Sequence, residues 1–118
     1  MVRPMMIEKQ TIETTFNALS DPTRRAVIEA LSSGPVSVSE LAKPFAMALP
    51  SFTQHLGILE DAKLIVSHRE GRRRICALNP GTLQEAEDWL ASHRAQWEAR
   101  LDRFEAHLET MKKEQADD

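Results

Sequence analysis

With 118 residues, of which 42% are apolar, the chain is long enough for one domain, residues 1–118, with a modest core. No uncharged run reaches the roughly 20 residues of a membrane-spanning helix, and the N-terminus lacks the apolar stretch of a signal peptide. We therefore expect a cytoplasmic protein without a membrane partner. The single cysteine, Cys76, excludes an intramolecular disulfide and any metal site built from several thiolates of one chain.

The formal net charge of −3 is unevenly distributed along the chain. Residues 20–80 contain eight basic and six acidic side chains, a net of +2, whereas the rest contains seven basic and twelve acidic ones, a net of −5. The positive charge is densest at Arg72, Arg73 and Arg74. A chain that is acidic overall can therefore still present a basic surface to a polyanion.

The N-terminal part predicts two helices. In the first, residues 11–19, apolar side chains recur at helical spacing: Ile12, Phe16 and Leu19. The second opens with Asp21 and Pro22, because an aspartate carboxylate caps free N–H groups and proline suits the first helical position. Gly34 and Pro35 end it with a turn.

Two short helices separated by a tight break follow. Ser37 and Glu40 fit a capping box that opens the third helix, and Pro44 stops it. The fourth helix starts near Pro50 and has one apolar face, formed by Phe52, Leu56 and Leu59. Its opposite side, which we call the outer face, carries Pro50, Ser51, Thr53, Gln54, Gly57 and Ile58.

A β-hairpin and a long helix complete the chain. Residues 64–70 are rich in β-branched side chains and are followed by a second strand segment at 73–78, and Gly71 supplies the positive φ of a two-residue primed turn between them. Arginines therefore project from the hairpin tip. Thr82 and Glu85 fit a second capping box, which opens the last helix, residues 83–113.

The last helix carries large apolar side chains at heptad-like spacing: Leu90, Trp97, Leu101, Phe104, Leu108 and Met111. At 1.5 Å per residue the helix extends about 45 Å, more than so small a domain can cover. We expect a homodimer that buries this stripe with Ile12 and Phe16 alongside, which contributes about 1.5–3 kcal/mol per large side chain. A helix folded back on its own domain is the alternative.

The ordered combination of two short helices, a polar outer face and an arginine-tipped hairpin fits duplex DNA. The major groove admits one helix whose side chains bond base edges, while flanking arginines neutralise phosphates. We predict that Thr53, Gln54 and Ser51 contact bases and that His55 flanks the groove or packs under the helix. Predicted phosphate or minor-groove contacts are Arg69, Arg72, Arg73 and Arg74. Each residue taken singly also fits a solvated helix or a charged loop.

Four segments together resemble the ArsR family of winged-helix bacterial repressors, over nearly the whole chain. They are LSDPTRR at 19–25, SVSELA at 37–42, QHL with LE at 54–60, and REGRRR at 69–74. The resemblance implies a mainly α-helical winged helix-turn-helix with a small β-hairpin wing, its DNA-binding part at 37–78. It also implies a dimer formed by the first and last helices, and repression that some signal releases.

The sequence departs from that family at several positions. The cysteine pair of metal-sensing relatives falls on Ser-Val-Ser at 37–39, and His93 and His107 are fourteen residues apart where the family spaces its histidines by eleven. We therefore expect no metal and no other cofactor. Gly57 replaces a frequent lysine. Lys63 replaces the usual glycine after the fourth helix, where a positive φ costs a side chain about 1 kcal/mol.

Other functions are weighed against DNA binding. The sequence contains no phosphate-binding glycine loop, nucleophile elbow or plausible pair of buried carboxylates, so we expect no catalytic residues and no enzyme. The rival function is a winged-helix module that binds another protein, with weak or no specific DNA binding. An effector stays open, either a small molecule near Trp89 and Trp97 or an oxidant acting on Cys76. Burial as an ordinary strand residue is the simpler interpretation of Cys76.

Overall fold

The computed structural model describes the backbone of residues 3–116 and the side chains of residues 11–116. The elements in chain order are α1 (Arg3–Ala18), α2 (Pro22–Leu31), β1 (Val36–Ser37), α3 (Val38–Ala42), α4 (Leu49–Asp61), β2 (Ile65–Glu70), β3 (Arg73–Leu78) and α5 (Pro80–Ala116). The strands form one antiparallel sheet in the order β1-β3-β2. The predicted mainly α-helical fold with a β-hairpin is thus confirmed. We call the β2–β3 hairpin the wing.

The chain divides into two compact units. The first ends at Ala86 and contains all elements from α1 to β3 together with the start of α5. The second begins at Glu87 and contains the remaining length of α5. The helix is continuous through the boundary, and the organisation of residues 1–118 as a single domain stays a prediction.

The core of the first unit is formed by helices α2, α3 and α4 together with the sheet. Its buried apolar side chains include Val27, Leu31, Leu41, Phe52, Leu56, Leu59, Leu64, Ile65 and Cys76. The inward face predicted for the fourth helix is therefore confirmed. Burial of this face fixes the orientation of α4, because only one rotation of the helix about its axis places all three apolar side chains in the core.

Two predicted helix caps form in part. Asp21 Oδ2 accepts the N–H of Arg24 at 3.0 Å, and Ser37 Oγ accepts the N–H of Glu40 at 3.3 Å. The carboxylate of Glu40, however, accepts from Lys43 Nζ at 2.9 Å, so its predicted half of the capping box is wrong. Both caps still fix where α2 and α3 begin.

Several predicted boundaries are wrong. Helix α1 begins at Arg3 instead of residue 11, with Pro4 in its first turn, where a missing N–H is tolerated. Helix α5 begins at Pro80 because Asn79 Oδ1 accepts the N–H of Gly81 at 3.3 Å. Thr82, which was predicted to be a cap, is buried and donates its hydroxyl to the carbonyl oxygen of Lys63 at 2.6 Å. Strand β1 was not predicted.

Lys63 has a φ of +62° and is the one non-glycine residue with positive φ in the described part of the chain. It follows the end of α4, where its N–H donates to the carbonyl oxygen of Glu60 at 2.9 Å. The N–H of Leu64 donates to the carbonyl oxygen of Leu59 at 3.0 Å. This pair of bonds is a Schellman motif, whose left-handed position favours glycine. The positive φ predicted for Lys63 is confirmed.

The substitution Lys63→Gly is expected to raise the free energy of unfolding by up to about 1 kcal/mol, because glycine adopts a positive φ without steric cost. Lys63→Ala is the matched control, since it removes the charged side chain but keeps Cβ. Denaturant titrations at one fixed protein concentration measure the difference. Equal stabilisation by both variants would contradict the conformational explanation.

Candidate nucleic-acid interface

The outer face of α4 is defined by burial of the opposite face. The buried side holds three side chains that are at most 1% exposed: Phe52, Leu56 and Leu59. Ser51 and Gln54 are exposed, and Ile58 is 38% exposed. The core therefore determines which side chains of α4 can meet a ligand, and the two exposed polar ones on the outer face, Ser51 and Gln54, were both predicted to contact bases.

Thr53, the third predicted base-contacting residue, is only half-buried but uses its hydroxyl within the helix. Its Oγ1 donates toward the carbonyl oxygens of Leu49 at 3.1 Å and Pro50 at 3.0 Å. A hydroxyl has a single proton, so Thr53 retains only acceptor capacity for other partners. Ser51 and Gln54 are consequently the better placed donors on the outer face.

His55 connects α4 to the start of α2. Its Nδ1 lies 3.2 Å from a guanidinium nitrogen of Arg24 and 3.7 Å from Asp21 Oδ2. Arg24 is itself held by its Nε, which donates to the carbonyl oxygen of Ala18 at 2.6 Å. Of the two roles predicted for His55, this contact corresponds to packing under the helix.

Asp21, which caps α2, also places a negative charge beside Arg24 and His55. The backbone N–H of Arg24, which bonds its carboxylate, lowers the pKa of Asp21, and the nearby His55 acts in the same direction. Asp21 is therefore ionised over the neutral pH range and keeps a negative charge beside Arg24. Sequence reasoning identified Asp21 as a cap but missed Arg24, which no local pattern distinguishes from Arg25.

The wing presents arginines at its tip. Strands β2 and β3 pair from Ile65 with Leu78 to Glu70 with Arg73, and the turn between them has Gly71 at φ +62°. A positive φ at the first central residue is the requirement of a type II′ turn. Arg72 and Arg73 are exposed there, and Arg69 is exposed on β2. The predicted projection of these arginines from the wing is confirmed.

Arg74, the fourth predicted phosphate contact, is partly buried and ion-paired within the chain. Its guanidinium forms an ion pair with Glu60 of α4, and its Nε donates to Ser67 Oγ at 3.2 Å. Ser67 Oγ in turn donates to Glu60 Oε1 at 2.7 Å. The Arg74 and Glu60 side chains are only 33% and 28% exposed. These three residues, which we call the wing anchor, tie α4 to the wing.

The wing anchor also offsets repulsion between two arginines of the hairpin. Arg69 and Arg74 are directly opposed across β2 and β3, and like charges in that position destabilise a strand pair. The Glu60 carboxylate compensates one of them. Sequence reasoning missed Glu60, because its partner Arg74 is 14 residues away and no periodic pattern links the two.

Cys76 is fully buried in β3. Burial raises the pKa of its thiol, and the neighbouring Arg74 opposes that shift only in part. Burial therefore disfavours the thiolate, which is the reactive form of cysteine. The geometry therefore agrees with the simpler interpretation of Cys76 as a core residue.

Among the described residues, no cluster of three or more histidine, cysteine, aspartate or glutamate side chains is arranged to hold a metal ion. No helix among them combines the length and apolar character needed to cross a membrane.

The second unit is a helix with large exposed apolar side chains along one side. Seven large apolar side chains of α5 are 40–64% exposed: Trp89, Leu90, Trp97, Leu101, Phe104, Leu108 and Met111. The Trp89 ring also lies 4.3 Å from that of His93, measured between centroids. We call the six members other than Trp89 the α5 seam. An exposed apolar stripe of this extent is typical of an association surface.

Comparison with known proteins places these features in context. The helix-turn-helix domain family matches residues 19–68, which contain α2 to α4 and much of β2. The transcriptional repressor SdpR of Bacillus subtilis (strain 168) is 35% identical over 79 residues, which cover 67% of this chain and 88% of SdpR.

Solved structures show the same similarity. The ArsR family transcriptional regulator RHA00566 has a TM-score of 0.73 and 50% sequence identity, covering 76% of this chain and 93% of its own. The homodimeric winged helix-turn-helix DNA-binding domain of Mb0332 from Mycobacterium bovis has a TM-score of 0.65 at 17% identity, covering 81% of this chain and 91% of its own. The second comparison bears on the fold alone.

Proposed function

This chain belongs to the ArsR family of winged helix-turn-helix transcriptional regulators, and from that membership we propose that it represses transcription as a cytoplasmic homodimer bound to an operator. Members of this class are DNA-binding regulators and not enzymes. The observation that carries the proposal is the joint presentation of Gln54 and the arginines of the wing tip. The core orients the first, and the wing anchor fixes the wing to the same helix.

We assign distinct roles to the two parts of this surface. Ser51 and Gln54 would contact base edges in the major groove, where an amide bonds adenine in a bidentate manner. Arg69, Arg72 and Arg73 would contact phosphates or the minor groove, which adds affinity without reading sequence. The α5 seam, with Ile12 and Phe16 of α1, would form the homodimer interface, because its large exposed apolar side chains are typical of an association surface.

Selection of bound sequences from a random duplex pool tests the proposal. We expect enrichment of two inverted half-sites whose centres are about 10 base pairs, or a multiple of that, apart, because a twofold dimer presents α4 twice. A protein that enriches no sequence at low ionic strength and stays monomeric at micromolar concentration would refute it. That result would favour the protein-interaction module instead.

The salt dependence of DNA affinity distinguishes the proposed role of Arg72 from that of Arg74. If Arg72 contacts phosphate in each protomer, Arg72→Ala should make the slope of log affinity against log salt shallower by about 1.8 per dimer. Arg74→Ala should leave that slope nearly unchanged and instead lower the free energy of unfolding by about 1 kcal/mol, because the partly exposed wing anchor is lost. Filter binding and denaturant titration of both variants give the two readouts.

The comparison includes Glu60→Gln as a control for the wing anchor. This variant removes the partner of Arg74 but leaves every arginine in place, so it should resemble Arg74→Ala in stability and wild type in salt slope. If the slope of log affinity against log salt became as shallow in Arg74→Ala as in Arg72→Ala, Arg74 would have to contact phosphate as well.

A further inference from the structure

The outer face of α4 carries one large exposed apolar side chain, Ile58, beside its single amide side chain. Ile58 lies one helical turn after Gln54 and is 38% exposed, whereas Leu56 and Leu59 on either side of it in sequence are fully buried. Residues four positions apart on a helix share a face, with Cβ atoms about 5–6 Å apart. Ile58 therefore stands beside Gln54 on the surface that would enter the major groove.

Packing within the chain leaves more than a third of Ile58 exposed. It belongs neither to the core cluster nor to the partly buried apolar side chains that pack against that cluster in the described residues. The neighbouring Gly57 has no side chain to cover it, and a Cβ placed there would meet no side chain other than those of its chain neighbours within 4 Å. Part of the Ile58 side chain is therefore free to contact a ligand, on a face whose other exposed side chains include Gln54 and Ser51.

Thymine has the apolar group that such a contact fits. Its C5-methyl is the apolar feature of base edges in the major groove, and Gln54 is suited to the adenine of an A·T pair. Successive bases are 3.4 Å apart along a strand, so side chains about 5–6 Å apart reach bases one or two steps from each other. A thymine methyl close to the adenine would meet Ile58.

We propose that Ile58 determines operator specificity by packing on the C5-methyl of a thymine one or two base steps from the adenine bound by Gln54. The inference rests on the proposed operator binding and adds a base class to it. The recognised half-site is therefore A·T-rich at these positions, and the discrimination comes from one methyl group.

Deoxyuridine substitution tests the contact, because it removes only that methyl. Each thymine of the selected operator is replaced singly, in one half-site and then in both, and affinity is measured for wild type and Ile58→Ala. For wild type we expect one position where the loss is about fourfold per half-site and about fifteenfold for both, which corresponds to one buried methyl-sized group each. For Ile58→Ala the same replacement should cause no further loss.

Val66→Ala is the matched control. Val66 is also β-branched and is 51% exposed, but it lies on β2 of the wing, so its loss should leave the deoxyuridine effect at the wild-type value. Ile58→Val keeps most of the side chain and should retain part of the effect, which guards against a misfolded alanine variant. Circular dichroism checks that all three variants fold.

The outcomes separate the two proposals. A selected half-site without thymine within two steps of the adenine, no thymine sensitive to methyl removal, or an undiminished loss in Ile58→Ala would each overturn the role of Ile58 and leave operator binding intact. Failure to enrich any duplex would instead overturn the proposed function itself.

Discussion

Phe104→Glu is expected to convert the dimer to a monomer and to weaken operator binding by about 100-fold or more, since a monomer loses the effective concentration that links two half-sites. Phe104 is 59% exposed in the single chain and lies at the centre of the α5 seam. Burial of one such ring contributes about 1.5–3 kcal/mol, and twofold symmetry counts the change twice. An unpaired carboxylate in the same interface adds a desolvation cost.

Sedimentation equilibrium and operator titration measure the two effects of Phe104→Glu. Ala106→Glu is the matched control because it adds the same charge to the same helix at an exposed position two residues away, on the opposite side of α5 from the seam. We expect the control to remain dimeric with near wild-type affinity. A Phe104→Glu protein that stays dimeric and binds normally would exclude the α5 seam as the interface.

Features fixed by a few neighbouring residues were predictable from the sequence. Asp21 caps α2 through a bond to the N–H three residues later, and Gly71 adopts the positive φ that its turn requires. The inward face of α4 follows from side-chain periodicity alone. Each of these signals acts within about one or two helical turns, so a local pattern contains all the information it needs.

Features that depend on distant partners were not predictable. Strand β1 has two residues and exists because Val36 and Ser37 pair with Cys76 and Ile75 of β3. Arg74 was predicted to face DNA with its neighbours, but its contact with Glu60 spans 14 positions. The contact between Arg24 and His55 spans 31. Such contacts form only after the chain has folded, and they decide which arginines stay exposed.

Even a short-range signal can be misassigned when two candidates compete. Thr82 and Glu85 fit a capping box, yet Asn79 caps α5 three residues earlier. The Thr82 hydroxyl is then free to bond the carbonyl oxygen of Lys63, which also accepts from Asn79 Nδ2 at 2.9 Å. The left-handed conformation of Lys63 brings that carbonyl into place, so the cap choice depends on the end of α4.

Gln54→Ala is expected to remove discrimination at one A·T pair in each half-site while leaving non-specific DNA binding unchanged. A bidentate amide contact contributes about 1–3 kcal/mol of discrimination, which corresponds to roughly 5- to 150-fold per half-site. Gln54 is exposed on the outer face and carries no charge, so its loss should not alter the slope of log affinity against log salt. Competition between the selected operator and one with that pair changed to G·C measures the effect.

The control for Gln54→Ala is Gln96→Ala, which removes the same amide from an exposed position on α5. It should keep the full preference for the A·T pair. Since the core fixes the rotation of α4, truncation of Gln54 leaves the rest of the outer face in place, and preference at the position next to Ile58 should survive. A variant that keeps its preference at every position would show that α4 does not read bases through Gln54, whereas loss at every position would mean that the helix had moved.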